Sequence, residues 1–240
     1  MEFAKEKFRQ SQKVLLKRHA KCCVTPNFRL FKELMGIIEG SISTNGRAKF
    51  RASSPANTTT KDKTSDKRIN LKTTKAKKRI LLFLPLPYEP NLSRFRREFA
   101  KKFEIFVPLL RDENIKMVKL RTPFSKGRFG IYEPLNSPCV RRIDLAIVPV
   151  LGVDKQLKRV GHGFGFYDRF FQNLGYKPLI IFVSAKKALC EQNLGQKHDI
   201  QADFYINPYQ KFHKKVWKNG RSYHRIYRRS GGRCGGFCSI

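Results

Sequence analysis

Apolar residues along this chain fall into short blocks whose spacing predicts the elements. Residues 3–20 read as a charged helix and 27–39 as an amphipathic one, with Phe28, Phe31, Leu34, Met35 and Ile38 at helical intervals. Pro26 sits near the first turn of the second helix, a position where its missing N–H costs nothing. Between residues 41 and 78 the periodicity stops and Ser, Thr and Lys dominate, which predicts a basic flexible linker or insertion. Pattern returns at Arg79. The run ILLFLPLP (80–87) is continuously apolar, as expected of a strand covered on both faces. Leu92, Phe95, Phe99 and Phe103 then mark one side of a helix over 92–103. Residues 104–110 read as a second strand, and 115–120 alternate like a half-buried one. Residues 142–151 and 178–183 are further buried strands, separated by a helix over 166–174. Strands alternating with helices predict an α/β fold whose sheet holds at least some parallel pairs.

Composition narrows the class. Of 240 residues, 40% are apolar and 20 are Phe, enough to bury a core and too many for a disordered chain. The longest apolar stretches (Ile80–Tyr88, Ile143–Val153, Pro178–Val183) fall short of the roughly 18 residues a bilayer span needs. The opening MEFAKEKF has no apolar core, so no secretory leader is expected and a cytoplasmic location is. The six cysteines, at 22, 23, 139, 190, 234 and 238, include no Cys-x-x-Cys pair and read as free thiols.

The net charge of +33 is unevenly placed. Residues 1–79 carry a net +15, residues 80–210 a net +9, and the last thirty residues another +9 with no acidic side chain. Charge held in flanks suits solvated tails or weak attraction to polyanions. Residues 213–240 read as a basic, disordered tail. A basic nucleic-acid-binding role, with aromatics such as Phe50, Trp217, Tyr223 and Tyr227, is the alternative to an enzyme.

The densest chemistry lies in Arg159-Val-Gly-His-Gly-Phe-Gly-Phe-Tyr-Asp-Arg169. Gly161, Gly163 and Gly165 alternate with His162 and Phe164 between a buried strand region and a helix. Alternate glycines let backbone N–H groups approach phosphate oxygens, and Arg159 and Arg169 bracket the turn. The spacing is neither the dinucleotide fingerprint nor a P-loop, and a plain structural turn would look the same. Asp168 could hold Mg²⁺ beside phosphates or simply cap the helix. Asp199 offers a second carboxylate.

Four blocks together resemble the 5-formyltetrahydrofolate cyclo-ligase family (5,10-methenyltetrahydrofolate synthetase). In the longest, Asp144, Leu145, Val148, Pro149, Asp154, Arg159, Val160, Gly161, Gly163, Gly165, Phe166, Tyr167, Asp168 and Arg169 follow the family signature in order. Lys5-x-x-Phe8-Arg9, the run Leu82–Glu89 and the run Phe129–Pro134 match further blocks, so the likeness covers residues 5–34 and 79–212. This chain has Leu92, Gly152, Val153, Leu157 and Phe164 where the family commonly has Thr, Ala, Phe, Gly and, in some members, Lys.

The resemblance implies a single-domain, three-layer Rossmann-like sandwich around a mostly parallel or mixed sheet. Residues 1–40 would join the core at 79–212. It also implies ATP- and Mg²⁺-dependent closure of 5-formyltetrahydrofolate to 5,10-methenyltetrahydrofolate, with ADP and phosphate released after phosphorylation of the formyl oxygen. The matching nucleotide positions are Lys5, Arg9, Arg159, Val160, Gly161, His162, Gly163, Phe164, Gly165, Phe166 and Tyr167. The folate positions are Leu84, Glu89, His162, Gly163, Phe164, Gly165 and Phe166, and the metal positions are Asp168 and Asp199. No acid–base dyad is implied. The expected partners are therefore small molecules, polyglutamylated folates among them, on a chain that acts as a monomer away from membranes.

Overall fold

A computed structural model describes residues 2–20, 26–44, 76–111, 114–127, 130–135, 137–196, 198–216 and 222–228. Two helices come first, α1 (Glu2–Ala20) and α2 (Pro26–Thr44). Strand β1 (Lys78–Leu82) leads through a 3-10 turn (Leu92–Phe95) into α3 (Arg96–Lys102). Next come β2 (Phe103–Arg111), β3 (Asn114–Lys119), a small ribbon of β4 (Phe124–Lys126) and β5 (Tyr132–Pro134), and β6 (Cys139–Val140). Strand β7 (Leu145–Pro149) precedes a second ribbon, β8 (Gly152–Val153) with β9 (Arg159–Val160), and then α4 (Phe166–Gln172). Strands β10 (Leu179–Val183), β11 (Phe204–Ile206), β12 (Gln210–Val216) and β13 (Ser222–Arg228) follow.

Nine of these strands form one sheet, in the order β13-β12-β11-β10-β7-β1-β2-β3-β6. The five from β11 to β2 run parallel, and antiparallel strands extend the sheet at both edges. The register explains why the central strands read as unbroken apolar runs. Ile80, Leu82, Ile147, Ile181 and Val183 face one side, where they meet Leu30, Leu34 and Ile38 of α2 and Phe99 of α3. Leu81, Ala146, Val148, Ile180 and Phe182 alternate with them and face the other side, against Phe170 of α4 and the stretch that follows β7. Helices on both faces of a sheet make the three layers expected. Each Leu or Ile withdrawn from water in this way contributes about 1.5–3 kcal/mol. Among the described residues no helix is long and apolar enough to cross a membrane.

Several boundaries differ from the sequence reading. Helix α2 is longer than 27–39, and its buried line is Leu30, Leu34 and Ile38, while Phe28 is 61% exposed. Four residues assigned to the linker thus belong to α2, and residues 45–75 lie outside the described part. The helix over 92–103 is split. Its first turn is 3-10, and Phe103 already belongs to β2. The tail taken as disordered from residue 213 instead carries the end of β12 and all of β13, paired from Gln210 with Arg228 to Val216 with Ser222. Phe212 anchors that hairpin by stacking on Tyr205 at 5.5 Å. Lys and Arg at so many positions mask the alternation that would mark a strand. Residues 229–240 lie outside the described part.

Helix α1 docks on the β8–β9 ribbon through one close approach. A Cβ at Gly152 would sit 2.6 Å from the Phe8 ring and 2.7 Å from the Ala188 carbonyl oxygen. The family's common Ala therefore has no room beside Phe8. Gly152→Ala is expected to cost about 1–3 kcal/mol by overpacking, lowering Tm by about 2–4 °C for each kcal/mol. A calorimetric scan of the variant checks this; an unchanged Tm would mean that α1 is not seated on Gly152.

Candidate functional site

The carboxyl ends of β1 and β7 open onto two cavities that share a wall, as open parallel sheets favour. That wall is built on Asp154. Its carboxylate is fully buried, and it accepts backbone N–H bonds from Gln156 and Lys158 at 2.8 Å and from Gly195 at 2.9 Å. Three donors on one side chain fix the turn between β8 and β9 and so aim Arg159. Leu157, at the tip, takes φ 58° with its side chain fully buried. A leucine in this left-handed region is strained by about 1–2 kcal/mol, which the buried side chain offsets.

Arg159 is only 7% exposed. Its Nε donates to the Pro149 carbonyl and its Nη1 to Asp168 Oδ2, each at 3.4 Å, and its guanidinium lies 4.8 Å from the centre of the Tyr167 ring. Asp168 Oδ1 in turn accepts the Ile200 N–H at 3.2 Å. From Arg159 the chain runs into the glycine turn, where Gly163 takes φ 107°, a conformation that side chains rarely tolerate. Arg9 of α1 clamps the turn from above, its Nε donating to the Gly161 carbonyl at 2.8 Å, and its guanidinium also pairs with Glu6.

The first cavity, of about 680 Å³, is polar. Lys5, Arg9, Arg159, Gly161, Gly163, Phe164, Gly165, Asp168 and Asp199 all line it. Lys5 Nζ meets Asp199 Oδ2 at 2.5 Å, and the same oxygen accepts the Gln196 N–H at 2.6 Å. Lys5 and Asp199 are 194 positions apart in sequence, and only the docking of α1 joins them. Four cations (Lys5, Arg9, Arg159 and Arg169) and four carboxylates (Glu2, Glu6, Asp168 and Asp199) line this cavity, and of the carboxylates Asp168 and Asp199 form a hard-oxygen donor set of the kind Mg²⁺ takes up together with phosphate oxygens. Among the described residues no three His, Cys, Asp or Glu side chains cluster as a self-sufficient metal site.

The second cavity, of about 210 Å³, is mostly apolar and lies on the other side of the turn. Leu84, Glu89, His162, Phe164, Gly165, Phe166 and Tyr167 line it, with Arg159 at its floor. Burial pushes the Glu89 carboxyl up to about 7, although the Leu86 N–H at 3.0 Å and the nearby Arg159 charge pull it down. Burial is also the largest cause holding His162 down at about 4, followed by the charges of Arg159, Lys13 and Arg9. The imidazole is thus neutral, with Nε2 2.7 Å from the Tyr88 hydroxyl.

The two cavities divide the expected residues between them. Val160 is fully buried and lines neither cavity, and Gly163 faces only the polar one. His162, Phe166 and Tyr167, expected at the nucleotide, line only the apolar cavity. The sequence reading missed Tyr88, next to Glu89 in a block it had singled out. Glu133 is buried in the wall of the apolar cavity, and burial raises its carboxyl pKa.

Residues 46–206 match the family model described as the 5-formyltetrahydrofolate cyclo-ligase family. The chain belongs to that family. A 5-formyltetrahydrofolate cyclo-ligase of Haemophilus influenzae is 34% identical over 104 residues, which are 42% of this chain and 51% of that one. The cyclo-ligase of Mus musculus is 26% identical over 144 residues, 52% of this chain and 71% of its own. The chain thus spans about half the length of the Haemophilus relative. A solved 5,10-methenyltetrahydrofolate synthetase from Mycoplasma pneumoniae shares the fold at 17% identity and TM-score 0.56, covering 85% of this chain and 98% of that one. Both cavities lie largely on the matched cyclo-ligase segment. Lys5 and Arg9 reach the polar one from α1, outside it.

Glu89 gives the site a pH signature. Its carboxyl has a higher pKa folded, about 7, than its ordinary 4.5. Its contribution to stability is therefore present below about 4.5 and lost as the pH rises through about 7. Glu89→Gln should flatten the pH dependence of stability across that window in urea unfolding. An unchanged slope would show that Glu89 is not the group that titrates.

Proposed function

We propose that this chain performs its relatives' named reaction, closing 5-formyltetrahydrofolate to 5,10-methenyltetrahydrofolate with ATP, and releases ADP and phosphate. One observation carries the reading: a polar cavity into which Lys5, Arg9 and Arg159 converge and an apolar cavity meet at Arg159 and the Phe164–Gly165 turn. A triphosphate suits the first and a fused ring system the second. The transferred group then passes between them beside a buried guanidinium.

The volume of the apolar cavity, about 210 Å³, lies below the roughly 300 Å³ lower end of drug-sized ligand sites. It suits the bicyclic ring rather than a whole folate, with the glutamate end directed outward. Glu89 accepts N–H bonds from the ring, and neutral His162, tied to Tyr88, stacks or hydrogen-bonds without adding charge.

Lys5, Arg9 and Arg159 bind and neutralise the phosphates. The formyl oxygen takes the terminal phosphoryl group and ADP leaves. The neighbouring 10-nitrogen then attacks the activated carbon, the carbon–oxygen bond breaks, phosphate departs, and the nitrogen's proton is released. Such chemistry depends on position and charge neutralisation more than on acid–base groups. Asp168 and Asp199 would hold Mg²⁺, whose charge screens the phosphates when it is bound.

Purified protein with Mg²⁺, ATP and 5-formyltetrahydrofolate should develop the near-ultraviolet absorbance of the methenyl product, and should not when ATP is omitted. Asp168→Asn, which keeps the size and the Ile200 contact, should lower kcat at least a hundredfold while retaining the wild-type circular dichroism. Near-normal turnover in that variant would refute the role given to Asp168. Absence of ATP-dependent product from the folded wild-type protein would refute the reaction.

A further inference from the structure

A cleft of about 930 Å³ lies at the opposite edge of the sheet from the two cavities described above. The starts of β1, β2 and β7, the end of β3 and one face of α3 frame it. Eight Lys or Arg side chains line it against two carboxylates. Both carboxylates are already engaged. Glu104 pairs with Lys119 at 2.7 Å and Arg79 at 3.5 Å, and Asp144 accepts the Arg79 N–H at 2.7 Å. Arg96, Arg97 and Arg121 are exposed and form no ion pair among the described residues. Their charges stand open to solvent.

We propose that this cleft binds single-stranded nucleic acid along its phosphodiester backbone. Five of its eight cations are Arg, whose planar fork matches phosphate oxygens two at a time. Phe124, 39% exposed at the rim, offers a face on which a base can stack. An unpaired base can stack on Phe124 where a paired one cannot, which favours a single strand over a duplex. Strands β1 and β7 run between the cleft and the substrate cavities, so the two sites are occupied independently.

Anisotropy of a fluorescein-labelled oligouridine of about 16 nucleotides, titrated with the full chain at about 50–200 mM salt, tests the proposal. Replacing Arg96, Arg97 and Arg121 together by Glu should weaken binding at least tenfold. Replacing them by Gln should lower the salt slope by about 2, the value for three lost contacts to a single strand. The control changes Lys17, Lys155 and Lys187 to Glu, an equal change of charge at exposed positions that do not line the cleft, and should cost less than threefold. Phe124→Ala should weaken binding and leave the salt slope unchanged. Circular dichroism checks that each variant is folded, and the Gln variant decides the matter if the Glu variant is not. Equal losses in cleft and control variants would overturn the proposal in favour of net charge alone. Displacement of the oligonucleotide by excess Mg²⁺–ATP would place it in the substrate site and overturn it too. So would equally tight binding of a labelled polyglutamate peptide of similar length, which would make the surface a general acidic-polymer site.

Discussion

A guanidinium carries its charge wherever it is placed, and removing it from water without partners costs several kcal/mol. Arg159 sits in that position, and the arrangement around it follows from keeping it satisfied. Pro149 at the end of β7 supplies a carbonyl, Asp168 at the start of α4 a carboxylate, and Tyr167 a ring face. Those partners lie on two elements, Pro149 on β7 and Tyr167 and Asp168 on α4, so the charge ties the sheet to the helix after the glycine turn. It also sets the electrostatics on both sides, helping to keep His162 neutral and restraining the rise of Glu89. One buried cation is thus a structural fastener and the floor of both cavities.

What could be read in the sequence follows from how local each feature is. Strands β1, β7 and β10 were legible because being covered on both faces leaves an unbroken apolar run. The glycine turn was legible because its spacing is a chemical signature in itself. The division of labour along it was not. Whether a residue of 160–167 faces the polar or the apolar side depends on the twist that Asp154 imposes through Gly195, forty-one positions away. Lys5 and Asp199 were legible one at a time, as matches to the family's nucleotide and metal positions, but nothing local set them side by side. Their pairing needs a tertiary contact that no local pattern records. The edge strands β12 and β13 were hidden for another reason, since a lysine- and arginine-rich alternation looks like a solvated tail until its partner strand is present.

Charge is sorted along the axis of the sheet. At the carboxyl ends of the parallel strands the cations are few, largely buried and paired, as Lys5 and Arg159 are. At the opposite ends they are exposed and their carboxylates are outnumbered. The first arrangement holds a small anion at one defined place. The second produces a broad positive field that acts over roughly a Debye length, about 8 Å at physiological salt.

Helix α1 closes the polar cavity with Lys5 and Arg9, yet among its described side chains only Lys5, Gln12 and Leu16 are buried. Its attachment rests largely on the Lys5–Asp199 pair, the Arg9–Gly161 bond and the Phe8 ring against Gly152. Any anion gripped between α1 and the glycine turn stabilises the docked form, and docking strengthens the grip by the same factor. The helix is therefore a latch, since the polar cavity keeps Lys5 and Arg9 only while α1 stays docked.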